Sequence, residues 1–513
     1  MAITPENLRF ILGLKVKSLR QRLGEPLVTV AARVGVSVSY LSEIENGRKY
    51  PKPEVLIRLA EGLRVSYDEL ISPRLGGELD ALEPLFNSDF FQEFPFELFG
   101  LDMTQVLGLV SDDPVKAAAF VQTFLEIARS YDMQVEHFLF AALRSYQRLH
   151  SNHFPELEER AADYRRERGW TDRSPGSGVL RDILEDEHGY QVDEETLAEK
   201  PELGGLRSVY LPGDPPRLLV NPSLAEAQRA FVYGREVGFV ELGLAERPAT
   251  SSWVRVDSFD QILNNFKASY FAGALLIGED ELAARMEAFF SRSRWDADGY
   301  REILEGFGTT PETFAYRLTQ VLPGRMGIQA LYFMRFHNPV GTERYQLNKV
   351  LNMSGIPVPR GVGFREHYCR RWVTVRILQE MARKDASAQG EGWHGELEVW
   401  GERAHFFHED AEFFVISSAR PLALKEGVNS CITVGLLMDE GFRERVRFWD
   451  DPRVARWDVG LTCERCPLDE EECGLRVAPP SIRQEERARQ GRLEALRELG
   501  VDLTGDSVLT PDP

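Results

Sequence analysis

Between Asn7 and Ile71 apolar residues recur at helical spacing in five short runs, each ended by a residue that stops a helix. Leu8, Ile11, Leu12, Leu14, Val16, Leu19 and Leu23 predict a first helix over Asn7–Leu23, closed by Gly24. Leu27–Val34 predicts a second, with Gly35 at the following turn, where a left-handed backbone costs glycine least. Ser37 is placed to N-cap a third helix that runs to Asn46 and is closed by Gly47. Pro53–Val65 and Ser66–Ile71 complete the set. Helices this short gain their stability from packing, so residues 1–73 should form one small five-helix domain. Val38, Leu41 and Ile44 are expected to face inward on the third helix, with Ser37, Ser39, Tyr40, Ser42 and Glu43 on or near its outer face.

The string VAARVGVSVSYLSEIENGRKYPKPEVLIRLAEGLRVSYDEL resembles the Cro/repressor helix-turn-helix family along its full length. Ala31 stands where two helices must cross closely. The resemblance implies that the third helix enters the major groove of a double-stranded DNA operator with its N-terminal part leading. Ser37 opens that helix, and Ser39, Tyr40 and Ser42 are candidates for base or phosphate contacts. Arg48 and Lys49, just after it, are candidates for phosphate contacts. The family often opens its second helix with Ser-Gln; here Pro26 and Leu27 hold those places, and Thr29 is the candidate replacement. The competing reading is a helical module used for protein contacts. Such heads read paired half-sites, so a dimer or tetramer is expected. The whole chain carries a formal charge of −20, yet residues 1–75 hold twelve Lys and Arg against eight Asp and Glu. A local basic face on an acidic body suits DNA, because counterion release is local.

A chain of 513 residues should make three or four domains. No apolar run reaches the roughly 18 residues of a membrane span. Met1–Leu14 has no secretory pattern, so a cytoplasmic protein without membrane association is expected. Pro73–Glu83 reads as a polar linker, Phe86–Phe99 is unusually aromatic, and helices are predicted near Pro114–Tyr131 and Gln134–Tyr164. Residues 74–175 are therefore taken as a helical connector that serves dimerisation or packs on the next domain.

From about Val179 the strings LRDILEDEHGYQV, RLLVNPSLAEAQRAFVYGREVGFVELG, ASYFAGALLIGEDEL and YREILEGFGTTPETFAYRLTQV follow in order. This series resembles the ImmA/IrrE-type zinc peptidase domain, placed over residues 176–325. That family carries His-Glu-x-x-His on its first long helix, two zinc ligands flanking a general base. The matching segment here is Arg235-Glu236-Val237-Gly238-Phe239. Glu236 keeps the base position, but Arg235 and Phe239 replace both ligands. Asn265 and Lys267 occupy the region of the third. A degenerate domain without zinc proteolysis is expected, and so no enzyme.

Cys463 and Cys466 form a C-x-x-C pair, Cys473 follows, and Cys369 and Cys431 lie upstream. On spacing alone this suits an iron–sulfur cluster or zinc, with the metal undecided. The order of head, degenerate peptidase-like domain and C-terminal cysteine domain resembles the short-chain fatty-acyl (acyl-CoA) transcription regulators. That resemblance implies a [4Fe–4S] cluster on Cys369, Cys463, Cys466 and Cys473, and CoA or a short-chain acyl-CoA as effector beside it. Cys369-Arg370-Arg371-Trp372 stands where the family has Cys-Pro-x-Trp. Cys431 lies in a strand-like run, where buried thiols are common. Among the arginines of Leu322–Arg371, Arg335 and Arg344 are the candidates for the effector's phosphates. The expected architecture is a mainly α N-terminal half, then the α+β peptidase-like domain, a mixed α/β ligand and cysteine domain over 326–480, and a helix and tail over 481–513. Two other functions fit: a stress or redox sensor whose cluster is the signal, and a metallopeptidase.

Overall fold

The computed structural model describes residues 5–72, 95–99, 123, 135–170, 173–250, 256, 258–358, 366–387 and 397–499. The chain divides into two compact units, residues 1–146 with 255–263, and residues 147–254 with 264–513. The predicted linker and the predicted helix over Pro114–Tyr131 lie outside the described residues; Phe96–Phe99 form one short helical turn.

In the first unit, α1 (Pro5–Arg22), α2 (Leu27–Val34), α3 (Val38–Glu45), α4 (Pro53–Leu63) and α5 (Tyr67–Ile71) follow one another. They enclose a core that includes Leu12, Val16, Val30, Ala31, Leu41, Ile44, Leu59 and Leu70. Gly24, Gly35 and Gly47 take φ values of 66°, 71° and 67°, the left-handed region in which a side chain is strained. Arg20 donates twice to Glu45, at 2.6 and 2.9 Å, fixing α1 against the end of α3. The Lys15 ammonium donates to the carbonyls of Glu69 and Ser72, which α5 leaves without helical partners. Val38 departs from the sequence reading: it is 43% exposed. The core beside it is filled instead by Val36 ahead of the helix and by the partly buried Tyr40 within it.

The helix predicted over Gln134–Tyr164 is broken in two, Val135–Leu149 and Pro155–Glu167. Ser151 and Asn152 both have φ of 50°, and Pro155 cannot continue a preceding helical turn. Asn152 is fully buried at the break and donates to Thr319 Oγ1 at 2.9 Å. Ala161 and Tyr164 join the main core of the second unit, so the expected connector boundary at 175 falls inside that unit.

The second unit continues with helix Ser177–Asp182, β1 (Gln191–Asp193), β2 (Ser208–Leu211) and β3 (Arg217–Val220), in a sheet of order β1-β3-β2. Helices Glu226–Glu241, Phe259–Leu276, Glu279–Phe290, Ala297–Gly306 and Pro311–Met326 follow. A six-stranded sheet comes next, with β4 (Leu331–Pro339), β5 (Gln346–Asn352), β6 (Glu398–Phe406), β7 (Ala411–Pro421), β8 (Val428–Leu437) and β9 (Arg456–Val459) in the order β5-β4-β8-β7-β6-β9. Neighbours are antiparallel except β6 and β9.

Both faces of this sheet are buried, and strand alternation assigns each residue to one of them. Leu331, Phe333, Leu351, Phe414, Ile432 and Val434 pack with Phe314, Leu318 and Leu322 of helix Pro311–Met326. Tyr332, Met334, Phe336, Phe413, Val415 and Cys431 face the other way, against Val375, Leu378 and Met381 of helix Val373–Ser387. The first core runs without a break from Ala161 to Val454. The expected boundary between residues 325 and 326 therefore separates no cores: the peptidase-like helices and the sheet are one packed body.

Candidate functional site

Ser37 accepts the amide of Tyr40 at 3.1 Å and starts α3, as an N-cap does. Ser37 and Ser39 are exposed, Tyr40 and Ser42 half-buried. Tyr40 divides its ring between the core and the surface, while Ser42 accepts from Asn46 at 3.3 Å. Arg48 and Lys49 are exposed beyond the helix, and Lys49 lies 2.9 Å from Glu43 and 5.7 Å from the centre of the Tyr40 ring. An exposed pair of this kind is worth little, so Glu43 holds Lys49 only weakly. Thr29 is exposed on α2. The N-cap of α2 is Pro26, which supplies no side-chain hydrogen bond to the helix start. The seven candidate residues thus lie on α2, at the N-cap of α3, on α3 and just after it, all of them exposed or half-buried.

The helix Glu226–Glu241 carries the segment that the sequence aligned with a zinc-binding helix. Glu236 is fully buried there. Arg235 lies 3.3 Å from one of its oxygens, and the Arg247 guanidinium donates to the other. Arg247 is held between aromatic faces, 3.7 Å from the Tyr210 ring and 4.0 Å from that of Phe239, and donates to Tyr190. Guanidinium groups therefore take up both oxygens of Glu236. Burial draws the Arg235 pKa down, and the Glu236 carboxylate works against that. Arg247 lies eleven residues away in a loop, and no sequence signal pointed to it. Gly238 makes this helix fit: a Cβ there would come within 2.9 Å of the Ala268 carbonyl on helix Phe259–Leu276.

Cys369, Cys463, Cys466 and Cys473 are drawn to one pole of the body. The amide of Cys463 donates to the His367 carbonyl and that of Cys369 to the Leu461 carbonyl, clipping the two segments together. Cys369 is within electrostatic reach of Cys463 and Cys466, and Cys466 of Cys463 and Cys473. Amides of Gly460 and Arg371 donate toward Cys369, and that of Leu468 toward Cys466. Arg476 donates to the carbonyls of Cys463, Leu468 and Ala478, folding the chain around Cys473. This accommodates the long step between Cys466 and Cys473. Trp372 donates to the Gly460 carbonyl at 2.7 Å. Burial pushes the Cys369 thiol up to about 12, so without a cation it stays protonated. Amides aimed at two of the four sulfurs would favour thiolates there, although among the described residues no three of these sulfurs lie within 4.8 Å of one another. Cys431 lies elsewhere, 3.7 Å from Thr433 inside the sheet.

The sheet sets Arg335 apart from the cysteines, whereas Arg344 stands between Glu343 and Tyr345, both of which contact Arg370 next to Cys369. Arg335 lies on the face of β4 that carries Leu331 and Phe333, opposite the face that Cys369 packs against. It donates to both oxygens of Glu312 at 2.8 Å. Arg344 is exposed in the loop between β4 and β5. An effector held by Arg335 therefore cannot sit directly beside the cysteine pole. Arg360 and Arg365 lie outside the described residues.

Among the described residues, His153, Glu158 and Glu279 place three metal-capable atoms within 4.8 Å of one another. Glu158 is already matched: Arg317 donates to its two oxygens at 2.5 and 2.6 Å, and Tyr270 also donates to it. This group is a structural clamp among four helices, Pro155–Glu167, Phe259–Leu276, Glu279–Phe290 and Pro311–Met326.

Residues 16–70 match the family model described as helix-turn-helix, and residues 186–319 that of the IrrE N-terminal-like domain. An uncharacterized HTH-type transcriptional regulator of Sinorhizobium fredii, y4dJ, is 39% identical over 67 residues, which is 13% of this chain and 87% of that protein. This chain belongs to the helix-turn-helix transcriptional regulators. It is DNA-binding, and its head joins an IrrE-like domain. The Escherichia coli HTH-type transcriptional regulator SutR is 28% identical over 138 residues, covering 26% of this chain and 76% of that protein. Bacillus subtilis YazB, an uncharacterized HTH-type transcriptional regulator, is 35% identical over 63 residues, 12% of this chain and 91% of that protein. A solved structure titled Mycobacterium tuberculosis transcriptional regulator superposes with a TM-score of 0.46 at 20% identity, over 66% of this chain and 94% of that one. Among the described residues, no single helix is long and apolar enough to cross a membrane.

Proposed function

We propose that this regulator is a cytoplasmic homo-oligomer that answers to CoA or a short-chain acyl-CoA and carries a metal centre in its C-terminal part. The observation that carries its DNA-binding role is α3, capped by Ser37 and followed by exposed Arg48 and Lys49. The uncapped start of α2 offers open amides in place of the missing Gln, and an anion such as a DNA phosphate is favoured there. Effector binding would shift the population of oligomeric arrangements and so the spacing of the heads.

Cys369, Cys463, Cys466 and Cys473 would hold the centre, a [4Fe–4S] cluster or zinc. It would supply charge for four thiolates and, as a cluster, one-electron redox chemistry. The IrrE-like domain serves as a non-catalytic scaffold, because Glu236 is committed to Arg235 and Arg247. The test is duplex selection with the full-length protein, followed by affinity against salt, with and without CoA and propionyl-CoA. Tyr40→Ala should relax sequence preference, and Arg48→Ala should flatten the salt slope by about 0.9. Binding that ignores acyl-CoA but changes on loss of the centre would favour the redox-sensor reading instead. One equivalent of zinc retained after all four cysteines are replaced would overturn the scaffold role.

A further inference from the structure

We propose that the sheet face beside Glu312 is a binding site for a phosphoryl-bearing small molecule, held by Arg335, His337, Lys349 and Arg420. Strand pairing brings these residues together. Lys349 on β5 stands directly opposite Arg335 on β4, while His337 on β4 and Arg420 on β7 both pair with Ser430 of β8. Alternation puts all four on the face that helix Pro311–Met326 covers.

Glu312, in the first turn of that helix, is the carboxylate they share. Arg335 lies 2.8 Å from it, Lys349 3.6 Å and Arg207 3.8 Å, and Arg420 feels its charge. Four cations thus gather around this carboxylate, in a chain whose net charge is −20. Lys425 adds its charge nearby, acting on His337. The crowding has a cost. Burial and the neighbouring Arg335 and Arg207 draw Lys349 down to about 8, although Glu312 opposes them. Burial and Arg335 likewise hold His337 down at about 4, so it is neutral at neutral pH.

Among the described residues, two buried donors at this place have no partner. One is Arg335 Nε. The other is His337 Nε2: Asn348 donates to His337 Nδ1 at 3.2 Å, so the ring's single proton lies on Nε2, which finds no acceptor among the described residues. Unmatched buried donors are costly. Arg420 is half-buried, and among the described residues it forms no ion pair. A dianionic phosphoryl group would match these donors and offset the excess charge, as a monoanionic carboxylate would do less fully.

Where the ligand is CoA, the proposal rests on the acyl-CoA reading; the site itself does not. The test is calorimetric titration of the full-length protein with inorganic pyrophosphate and, separately, with CoA. The variants are Arg420→Gln, whose side chain breaks no ion pair, and Arg325→Gln as a control on another surface. Pyrophosphate should bind the natural protein and the control alike, and Arg420→Gln about tenfold or more weakly. No pyrophosphate binding at millimolar concentration, or binding that Arg420→Gln leaves unchanged, overturns the site. Arg420-dependent pyrophosphate binding without CoA binding keeps the site and removes the acyl-CoA reading. CoA binding together with pyrophosphate binding, both of which ignore Arg420→Gln, keeps the acyl-CoA reading and removes the site.

Discussion

Gly13→Ala tests how firmly α1 sets the recognition helix. A Cβ at residue 13 would lie 2.6 Å from the Ile44 carbonyl oxygen, 2.9 Å from that of Glu45 and 3.0 Å from the Gly47 amide. All three are backbone atoms, so no side chain can swing aside. A relaxed carbon–oxygen contact is about 3.4 Å, so the end of α3 must retreat by roughly 0.8 Å. Alanine gains about 1 kcal/mol over glycine inside a helix. Overpacking against rigid atoms costs about 1–3 kcal/mol, and three simultaneous contacts place this case at the upper end. The net loss should be about 1–2 kcal/mol, some 5–30-fold in the local opening equilibrium. Hydrogen exchange of the full-length protein reads this directly through the amides of Asn46, Gly47 and Arg48, which bond to Ser42, Ile44 and Glu43. Gly491→Ala is the control, since nothing lies within 4 Å of that position. If Gly13→Ala slows exchange at residues 46–48, or leaves it untouched, the close crossing of α1 and α3 is not what holds the recognition helix.

Other perturbations separate the remaining claims. Arg317→Met should destabilise the second unit by about 3–5 kcal/mol in denaturant melts, because Glu158 is left charged and buried, whereas adding Glu158→Leu should restore most of the loss. His337 should titrate near 4 by NMR, below the ordinary histidine value. Its folded pKa is depressed, so the unfolded chain binds more protons between about 6.5 and 4; stability should fall as pH drops through that window, and His337→Gln should flatten the slope. Cys369→Ser should lower metal bound per chain after anaerobic purification, while Cys431→Ser should leave it unchanged.

The head was readable because its signals are local. Ser37, Gly35 and Gly47 act on their own turns, and the apolar spacing around Leu41 and Ile44 reports a core only a few residues away. Val38 misled because helical spacing marks a face but not how far the core extends along it; Val36 and Tyr40 filled that place. The break at Ser151–Phe154 was hidden by apolar periodicity on both sides, although Pro155 marked it. The cysteine pole could be guessed from Cys463-x-x-Cys466, since two thiols on one turn are a local pattern. The partner of Glu236 could not: Arg247 reaches it only through the fold. The same holds for Arg335, whose neighbours Glu312 and Lys349 come from two separate elements. Strand alternation did carry one usable warning. Arg335 and Phe336 are consecutive, so one had to face away from any site that used the other.

That alternation decides how the two proposed sites can communicate. β4 sends Arg335 and His337 to the cationic face and Phe336 to the other, where its ring meets Tyr368 at 5.0 Å, next to Cys369. A ligand at Arg335 and a metal at Cys369 would be one sheet apart and share one strand. Close-packed sheets resist small displacements, so a signal needs a place where the ladder already yields. β4 has one: its register against β5 shifts between Arg335 and Phe336. Pulling Arg335 from Glu312 toward a phosphoryl group would act on this irregularity and be felt at Phe336. The measurable outcome is the rate at which Cys369 is alkylated in metal-free protein. Pyrophosphate should change that rate in the natural chain, and Phe336→Ala, which removes the ring contact with Tyr368, should abolish the change while leaving pyrophosphate affinity intact. A ligand effect that survives Phe336→Ala unaltered would mean that the two faces are coupled by some route other than β4.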